Sequence, residues 1–224
     1  MEQKDYQETF ADFVKKLDFD EINLLIYIAK LAVNRNSRNV TVSYLDVSYH
    51  LGLKGKGNDY VKKNISKLPS LIFEQNGLYT PCFEKIHVRT NHFEFTLTKM
   101  FENPSFYSFV KVMASLSPSI IYNINKHHTI YLYLRLKEEL CQRDMMFEFS
   151  LPMTTDEVKS MFGLGDHDYM DDVYFHRSKF EKRFLVPSVE EISDLDKSLT
   201  LSWEKLKENR LVTGYLFKCS TLKV

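Results

Sequence analysis

The sequence contains little cysteine, proline, glycine or tryptophan. Its 224 residues include three cysteines, six prolines, seven glycines and one tryptophan. So little glycine and proline argues against a disordered or low-complexity chain. Cys82, Cys141 and Cys219 have no CxxC spacing and no neighbouring ligand cluster. We therefore expect reduced core thiols rather than a disulfide or a metal site.

Net charge and long apolar runs are missing as well. Thirty basic and thirty acidic residues cancel, so only local basic faces can attract nucleic acid. The polar, acidic start MEQKDYQETFADF is unlike a signal peptide. No apolar run approaches the roughly 20 residues that a membrane span requires. We expect a cytoplasmic protein that does not associate with the membrane.

Motifs that carry catalysis are also absent. The sequence has no GxxxxGK[ST], HExxH or GxSxG. The acidic segment DHDYMDD at 166–172 lacks the glycine and terminal glutamate of an EF-hand, so we interpret its acids as helix caps. His127 and His128 lack the His-apolar-His spacing and paired tyrosine of a strand-nicking enzyme, and indicate a helix start. We predict no enzyme activity, no cofactor and no metal.

Residues 154–192 instead predict a short helix, a glycine-containing turn and a longer helix. Thr154 or Thr155 can cap the first helix, whose first turn carries two acids that the helix dipole favours. Val158 and Phe162 lie four apart on one face, and two glycines then break the pattern. The first helix therefore ends at this turn.

The second helix of this segment is basic. Phe180 and Phe184 face inward, so Ser178, Lys179 and Lys182 project from roughly the opposite side. The following LTLSWEKLKENRLVTGYLFKC alternates apolar and polar residues on both sides of a polar KEN turn, which predicts a β-hairpin. Helix, turn, basic helix and hairpin in this order are typical of a winged helix-turn-helix, which docks on DNA.

The same order of elements occurs earlier in the chain. In VTVSYLDVSYHLGL, Ser43 is a plausible cap, and Val47 and Leu51 are four apart with a glycine directly after. A second apolar stripe follows at Val61, Ile65, Leu68 and Ile72. The segment CFEKIHVRTNHFEFTL then predicts a hairpin that turns near Thr90–Asn91. Because the whole order repeats, we predict an α+β, mainly helical fold with two tandem winged helix-turn-helix domains.

A helix is predicted ahead of each motif. The first is capped by Asp18 or Asp20 and runs to about Val33. The second packs under its motif through Ile130, Tyr133 or Leu134, and Leu140, and residues 137–142 form its exposed end.

The repeat also sets the expected domain boundaries. We predict a leader at 1–16, a first winged-helix domain for dimerisation and DNA binding at 17–104, a proline-containing linker at 105–118, and the main DNA-binding domain at 119–224. Pro69 and Pro187 stand late in the second helix of each motif and should kink or divide it.

At KFEKRFLVPSVEEI, with YLYLRLKEEL upstream and WEKLKENRLVTGYLFKC downstream, the sequence resembles the plasmid replication initiator (Rep) proteins. These are the iteron-binding, two-winged-helix initiators of theta replication in bacteria. Asp194 stands where the family favours asparagine, and KENRLVTG replaces the basic-glycine segment of the wing. The resemblance implies binding to repeated origin sites, a monomer active at the origin, a dimer that represses its own promoter, and recruitment of host proteins such as the initiator and the replicative helicase.

The residues predicted to contact double-stranded DNA are basic or hydroxyl side chains at exposed motif positions, because these reach phosphates and base edges. In the second domain they are Arg177, Ser178, Lys179, Lys182 and Arg183 on the basic helix, and Lys205, Lys207 and Arg210 in the wing. In the first domain they are Lys54, Lys56, Lys62, Lys63 and Lys67. The alternative is a solvated basic face, and Arg177, near the apolar edge, can snorkel instead.

Three functions remain open from the sequence. The first is a plasmid replication initiator that binds origin DNA through both winged helices. The second is a winged-helix transcriptional repressor of phage or plasmid origin. The third, which the zero net charge favours, is an interaction module whose winged helices bind no DNA.

Overall fold

The computed structural model describes residues 13–14, 17–50, 58–75, 78–99, 104–143, 148–165, 168–171 and 174–221. The chain divides into two compact units, residues 1–118 (unit 1) and 119–224 (unit 2). Across the described ranges, no helix combines the length and the apolar character needed to cross a membrane.

Unit 1 is built from helices followed by hairpins. Its helices are α1 (Phe19–Arg35), α2 (Tyr44–His50), α3 (Asn58–Ile65) and α4 (Pro104–Ser115). Its strands are β1 (Asn39–Ser43), β2 (Ile72–Gln75), β3 (Leu78–Pro81), β4 (Phe83–Val88) and β5 (His92–Leu97). Strands β1, β5 and β4 form one antiparallel sheet in that order, and β2 pairs with β3 alone. The α2–α3 pair and the β4–β5 hairpin are the helix-turn-helix and the wing.

Asp18 starts α1, as the sequence predicts. Its carboxylate accepts the backbone N–H of Glu21 at 2.9 Å, and the Glu21 carboxylate accepts that of Asp18 at 2.8 Å. This reciprocal capping box satisfies two amides at the helix start. The helix ends at Asn36, whose φ of 44° is left-handed. The helix buries one apolar face, at Ile22, Leu25, Ile26 and Ala29.

The helix pair of unit 1 follows the sequence pattern as far as Pro69. Ser43 caps α2, since its Oγ accepts the backbone N–H of Asp46 at 3.0 Å. The chain leaves the α-helix before Pro69, which lies in the 3₁₀ turn Leu68–Ser70, so the predicted break is confirmed. The placement of Ile72 on the helical stripe is wrong, because Ile72 lies in β2 and is 50% exposed.

The wing of unit 1 turns where the sequence predicts. The Arg89 backbone N–H donates to the His92 carbonyl at 2.9 Å, which closes the turn around Thr90–Asn91. Phe93 and Phe95 of β5 are buried on the inner face. The alternation of apolar and polar residues therefore does mark this hairpin.

Residues 105–118, which the sequence assigns to a linker, largely form α4 and belong to unit 1. This helix packs against α1 and buries Phe109, Val110, Val112 and Met113. The prolines do not break it, because Pro104 and Pro118 each begin a helix, where a missing N–H costs nothing. Phe13, in the expected leader, is buried with its ring edge-on to Phe109 at 5.7 Å.

Unit 2 repeats the order helix, strand, helix pair and hairpin. Its helices are α5 (Pro118–Asn123), α6 (His127–Gln142), α7 (Thr155–Met161), α8 (Arg177–Phe180) and α9 (Val186–Leu195). Its strands are β6 (Glu148–Thr154), β7 (Met170–Asp171), β8 (Tyr174–Phe175), β9 (Leu199–Glu208) and β10 (Leu211–Thr221). Strands β6, β10 and β9 form an antiparallel sheet with the same topology as that of unit 1. The fold is α+β, with two tandem winged-helix units.

The charged end of α6 differs from the expectation of an exposed segment. Lys137, Glu138 and Glu139 are each only 6–7% exposed. Their charges are paired, because Arg135 binds both glutamates and Lys137 binds Asp196 at 3.0 Å. Sequence pattern places charges outside by default, and it does not reveal partners on the same helix or across the fold.

The helix of unit 2 that carries the basic residues is continuous from Arg177 to Leu195, and we call it the basic helix. It consists of α8, a π-helical turn at Glu181–Leu185, and α9. The expected division at Pro187 becomes a local π distortion, because Pro187 lies in the first turn of α9, directly after the widened turn. The Val186 backbone N–H donates to the Glu181 carbonyl, so the helical hydrogen bonding continues up to the residue before the proline.

The wing of unit 2 is the β9–β10 hairpin that the sequence predicts. Its two-residue turn has Asn209 at φ 47° and Arg210 at φ 69°. Positive φ at both central residues is typical of a type I′ turn, in which glycine usually occupies the second position. The ladder is irregular between Val212 and Gly214, and Gly214 lies against β6.

Candidate nucleic-acid interface

The basic helix presents one apolar and one polar face. Phe180 and Leu185 are completely buried. Phe180 stacks on Phe184 at 5.8 Å and packs against Phe162, directly after α7, at 6.0 Å. On the other face, the exposed residues are Ser178, Lys179, Lys182 and Arg183. All four side chains are exposed, and their contact with DNA remains a prediction.

Arg183 lies against Tyr169, in the loop between the two helices of the motif. Its Nη1 donates to the Tyr169 hydroxyl at 3.1 Å, and its guanidinium carbon lies 5.9 Å from the centre of the tyrosine ring. The ring also meets Phe184 edge-on at 5.4 Å. Arg183 is therefore exposed to solvent, although its guanidinium is held in place by Tyr169.

Arg177 points into the wing. Its Nη2 donates to the Val212 carbonyl of β10 at 2.8 Å, and its guanidinium lies 5.7 Å from the Phe175 ring. These contacts favour the snorkelling alternative for Arg177, because one face of the guanidinium is committed to the protein. The residue ties the start of the basic helix to the wing.

Lys205 of the wing also bonds to another residue of the protein. Its Nζ donates to Glu181 Oε2 at 2.8 Å, and the Tyr215 hydroxyl donates to Glu181 Oε1 at 3.2 Å. Burial and the Glu181 charge raise the pKa of Tyr215 well above its ordinary value, so the phenol stays protonated and can donate. Glu181 is 8% exposed. These three side chains, which we call the wing brace, join the π turn to both wing strands.

The other two wing residues that are predicted to contact DNA remain accessible to solvent. Lys207 and Arg210 are exposed, at the end of β9 and in the turn. Leu211 beside them is 72% exposed. Of the predicted wing contacts, only Lys205 is therefore held in an ion pair within the described part of the chain.

Unit 1 carries some of its predicted DNA contacts on α3 and just after it. Lys62 and Lys63 on α3 are exposed, and Lys62 Nζ lies 5.8 Å from the Tyr44 ring. Lys67 instead pairs with Asp18 at 2.6 Å, and this hydrogen bond raises its pKa. The predicted contacts Lys54 and Lys56 lie outside the described residues.

The wing of unit 1 carries a compact cluster of charged residues that no sequence pattern indicates. Glu94 accepts from Arg89 at 3.2 Å and lies 3.1 Å from the His92 ring nitrogen. Hydrogen bonds from Arg89 and then His92 lower the pKa of Glu94 to about 2. The cations of this wing are thus partly neutralised by its own carboxylate.

Glu191 and Ile192, which end the segment KFEKRFLVPSVEEI, have a structural role. Glu191 Oε1 accepts the backbone N–H of Asn125 at 2.7 Å and of Lys126 at 3.4 Å, directly before α6 begins. Ile192 is completely buried. The pair therefore fixes the end of the basic helix to the start of α6. Asp194, where the family favours asparagine, is exposed and pairs with Lys197 at 3.4 Å.

Among the described residues, no group of three or more potential ligands could hold a metal ion. Asp168 accepts the Gly165 backbone N–H at 2.7 Å, so this acid of the DHDYMDD segment closes the turn. Asp166, His167 and Asp172 lie outside the described residues. Cys82 and Cys219 are buried, and burial raises the pKa of Cys219 to about 11.

These features define unit 2 as a winged-helix domain with a basic helix braced to its wing. Residues 154–219 match the family described as the second winged-helix domain (WH2) of the initiator Rep protein. The match confirms, for this domain, the resemblance to the Rep initiators seen in the sequence.

Two solved structures extend the comparison. The crystal structure of the Pi initiator protein in complex with iteron DNA has a TM-score of 0.56 at 12% identity, and the alignment covers 98% of this chain and 96% of that chain. Domains 2 and 3 of RctB match with a TM-score of 0.43 at 10% identity, over 90% of this chain and 81% of that chain. The first likeness shows that the fold is shared along nearly the whole chain. No curated protein sequence matches.

Proposed function

We propose that this protein initiates plasmid replication by binding repeated sites in double-stranded origin DNA through its winged helices. The basic helix would occupy a major groove, as recognition helices of this class do. Unit 1 would bind through α3 in the same way. The proposal includes a cytoplasmic location and no catalytic activity of the chain itself.

The exposed polar face of the basic helix is the observation that carries the proposal. Lys179, Lys182 and Arg183 lie on one helix, together with Ser178, and Phe180 of the same helix is fully buried. A chain with zero net charge binds nucleic acid only where cations are concentrated locally. The Rep family match and the fold shared with a protein crystallised on iteron DNA support the same function.

Three parts of the proposal concern assembly and regulation. A monomer would act at the origin, and a dimer formed through unit 1 would repress the promoter of its own gene. Host proteins, such as the initiator and the replicative helicase, would be recruited to the bound complex. These parts rest on the family resemblance.

The test is binding of the full chain to the DNA that flanks its own gene. We expect the protein to bind this duplex. Its affinity for the duplex should fall steeply between 50 and 200 mM salt, because lysines that bind phosphates release condensed counterions. Tandem repeats in the bound segment, each about two turns of duplex long, would favour an initiator over a repressor. Failure to bind any duplex at low salt would favour the interaction module.

Lys182→Ala provides the residue-level test of the same proposal. We expect several-fold weaker binding at moderate salt, because Lys182 is exposed at the middle of the basic face. Lys197→Ala is a suitable control, since Lys197 is exposed beyond the end of α9 and pairs with Asp194. Equal affinity of the Lys182 variant and the wild type would remove this residue from the interface.

A further inference from the structure

Tyr169 has a backbone conformation that its side chain does not favour. Its φ is 60°, in the left-handed region that bulky side chains rarely adopt. This conformation is unfavourable for any L-residue, because the Cβ then lies too close to a backbone carbonyl oxygen. Such strain is maintained only where the surroundings determine it, and it is concentrated at functional sites.

The surroundings of Tyr169 hold it from both sides. Its carbonyl accepts the His176 N–H at 2.7 Å, one residue before the basic helix begins. On the other side, the Gly165 N–H donates to Asp168 Oδ2 at 2.7 Å, which closes the preceding turn. The short β7–β8 ladder follows directly. The loop is therefore built to present the side chain of residue 169 at one place.

That side chain is presented to Arg183. The hydroxyl accepts from Nη1 at 3.1 Å, and the guanidinium carbon lies 5.9 Å from the ring centre. The ring is itself fixed by its edge-on contact with Phe184 at 5.4 Å. A guanidinium held through one nitrogen keeps its other N–H groups available, and its rotamer freedom is already lost before any ligand binds.

We propose that Tyr169 is a positioning residue, which holds the Arg183 guanidinium ready for a bidentate contact with a guanine of the bound DNA. The inference rests on the proposed DNA binding and adds a specificity determinant to it. Arginine to guanine O6 and N7 is the commonest specific contact in a major groove, and it requires the planar fork in one orientation. Tyr169 itself lies outside the helix that would enter the groove.

The experiment first defines the bound site by selecting duplexes from a random pool with the wild-type full chain. Each guanine of that site is then replaced singly by 7-deazaguanine, which lacks the N7 acceptor. We expect one guanine at which the replacement weakens wild-type binding by roughly fivefold or more. If the wild type selects no duplex, the proposed function fails and the inference fails with it. If it binds but no guanine is sensitive, only the inference fails.

Tyr169→Phe keeps the ring and removes the hydroxyl. We expect weaker binding to the unmodified site and a 7-deazaguanine penalty reduced to less than about twofold, because the arginine no longer starts in the correct orientation. A purely structural role would weaken binding to both duplexes by the same factor and leave their ratio unchanged. A full penalty in Tyr169→Phe would overturn the inference.

Two further variants secure the comparison. Arg183→Ala leaves Tyr169 intact, removes the guanidinium and should lose the same guanine dependence, so it keeps the inference testable if Tyr169→Phe unfolds. A full guanine penalty in Arg183→Ala would overturn the inference as well. Tyr122→Phe makes the same chemical change at a side chain that is 66% exposed on α5, and it should match the wild type at every duplex.

Discussion

At the scale of single residues, Glu181 is an acid buried within the basic helix. It accepts from Lys205 and Tyr215, so we expect Glu181→Gln to lower the free energy of unfolding by about 1 kcal/mol. The value is modest because the Lys205 side chain is 38% exposed and solvent screens the pair. Urea unfolding measures it. Glu204→Gln breaks the exposed pair with Lys218 and should change stability by less than roughly 0.5 kcal/mol. Equal effects of the two variants would contradict the wing brace.

Asp196 predicts a pH dependence of stability. Burial acts to raise its pKa, but hydrogen bonds from Ser198, Lys137 and Tyr133 and the Lys137 charge lower the pKa below its ordinary value. Because the folded-state pKa is depressed, the stabilisation is present above the unfolded pKa of about 3.9 and is lost as the pH falls through the folded value.

We expect Asp196→Asn to destabilise the chain by about 3 kcal/mol at pH 7, because buried Lys137 then lacks its carboxylate. The difference from the wild type should begin to shrink as the pH falls below about 3.9, where the unfolded wild type takes up a proton at Asp196, and should be lost as the pH falls through the lower pKa of the folded state. Thermal or urea unfolding at several pH values measures this. A difference that stays constant down to pH 2 would exclude the Asp196 charge as its cause.

The sequence predicts which residues lie on the basic helix better than it predicts which are available. Helical periodicity places Lys179 and Lys182 opposite Phe180, and the structure agrees. It cannot show that Lys205 pairs with Glu181, because the two are 24 positions apart and meet only after the wing folds back. Tyr169 has no local signal at all, since neither its φ nor its contact with Arg183 is encoded in a periodic pattern.

At the scale of elements, the contact of β6 with β10 depends on Gly214. A Cβ at this position would lie 2.3 Å from the Met153 carbonyl oxygen, and the backbone cannot yield there cheaply. We expect Gly214→Ala to lower the free energy of unfolding by roughly 1–3 kcal/mol. Gly165→Ala is the control, because its Cβ would meet only the Asp168 side chain, at 3.5 Å. If the two variants unfolded at the same denaturant concentration, the close approach of β6 and β10 would not limit stability.

Elements with long periodic patterns are predictable, and short strands are not. Sequence patterns predict the wings and helix pairs of both units but not β1 and β6, although each begins its sheet. In β6 the buried residues Phe149, Leu151 and Met153 do alternate with exposed ones. A strand of five to seven residues has only two or three such positions, so its signal is weak until the partner strand β5 or β10 is known.

At the scale of the whole molecule, zero net charge changes how DNA binding should depend on salt. A uniformly basic protein is attracted from any side, whereas here only a few side chains can release counterions. Each lysine that contacts a phosphate contributes about one unit to the slope of log affinity against log salt. The slope therefore measures how many lysines contact phosphates, and single-residue variants identify which lysines they are.

Lys182 and Lys205 make the decisive pair for this measurement. Both are lysines of unit 2, but Lys182 Nζ is on the exposed helix face and Lys205 Nζ is 2.8 Å from Glu181. We expect Lys182→Gln to reduce the salt slope by about one and Lys205→Gln to change it far less, because the Glu181 charge already offsets that lysine. Electrophoretic shifts at several salt concentrations give both slopes. Equal reductions would mean that the wing brace opens when the protein binds DNA, and that Lys205 contacts a phosphate as the sequence alone predicts.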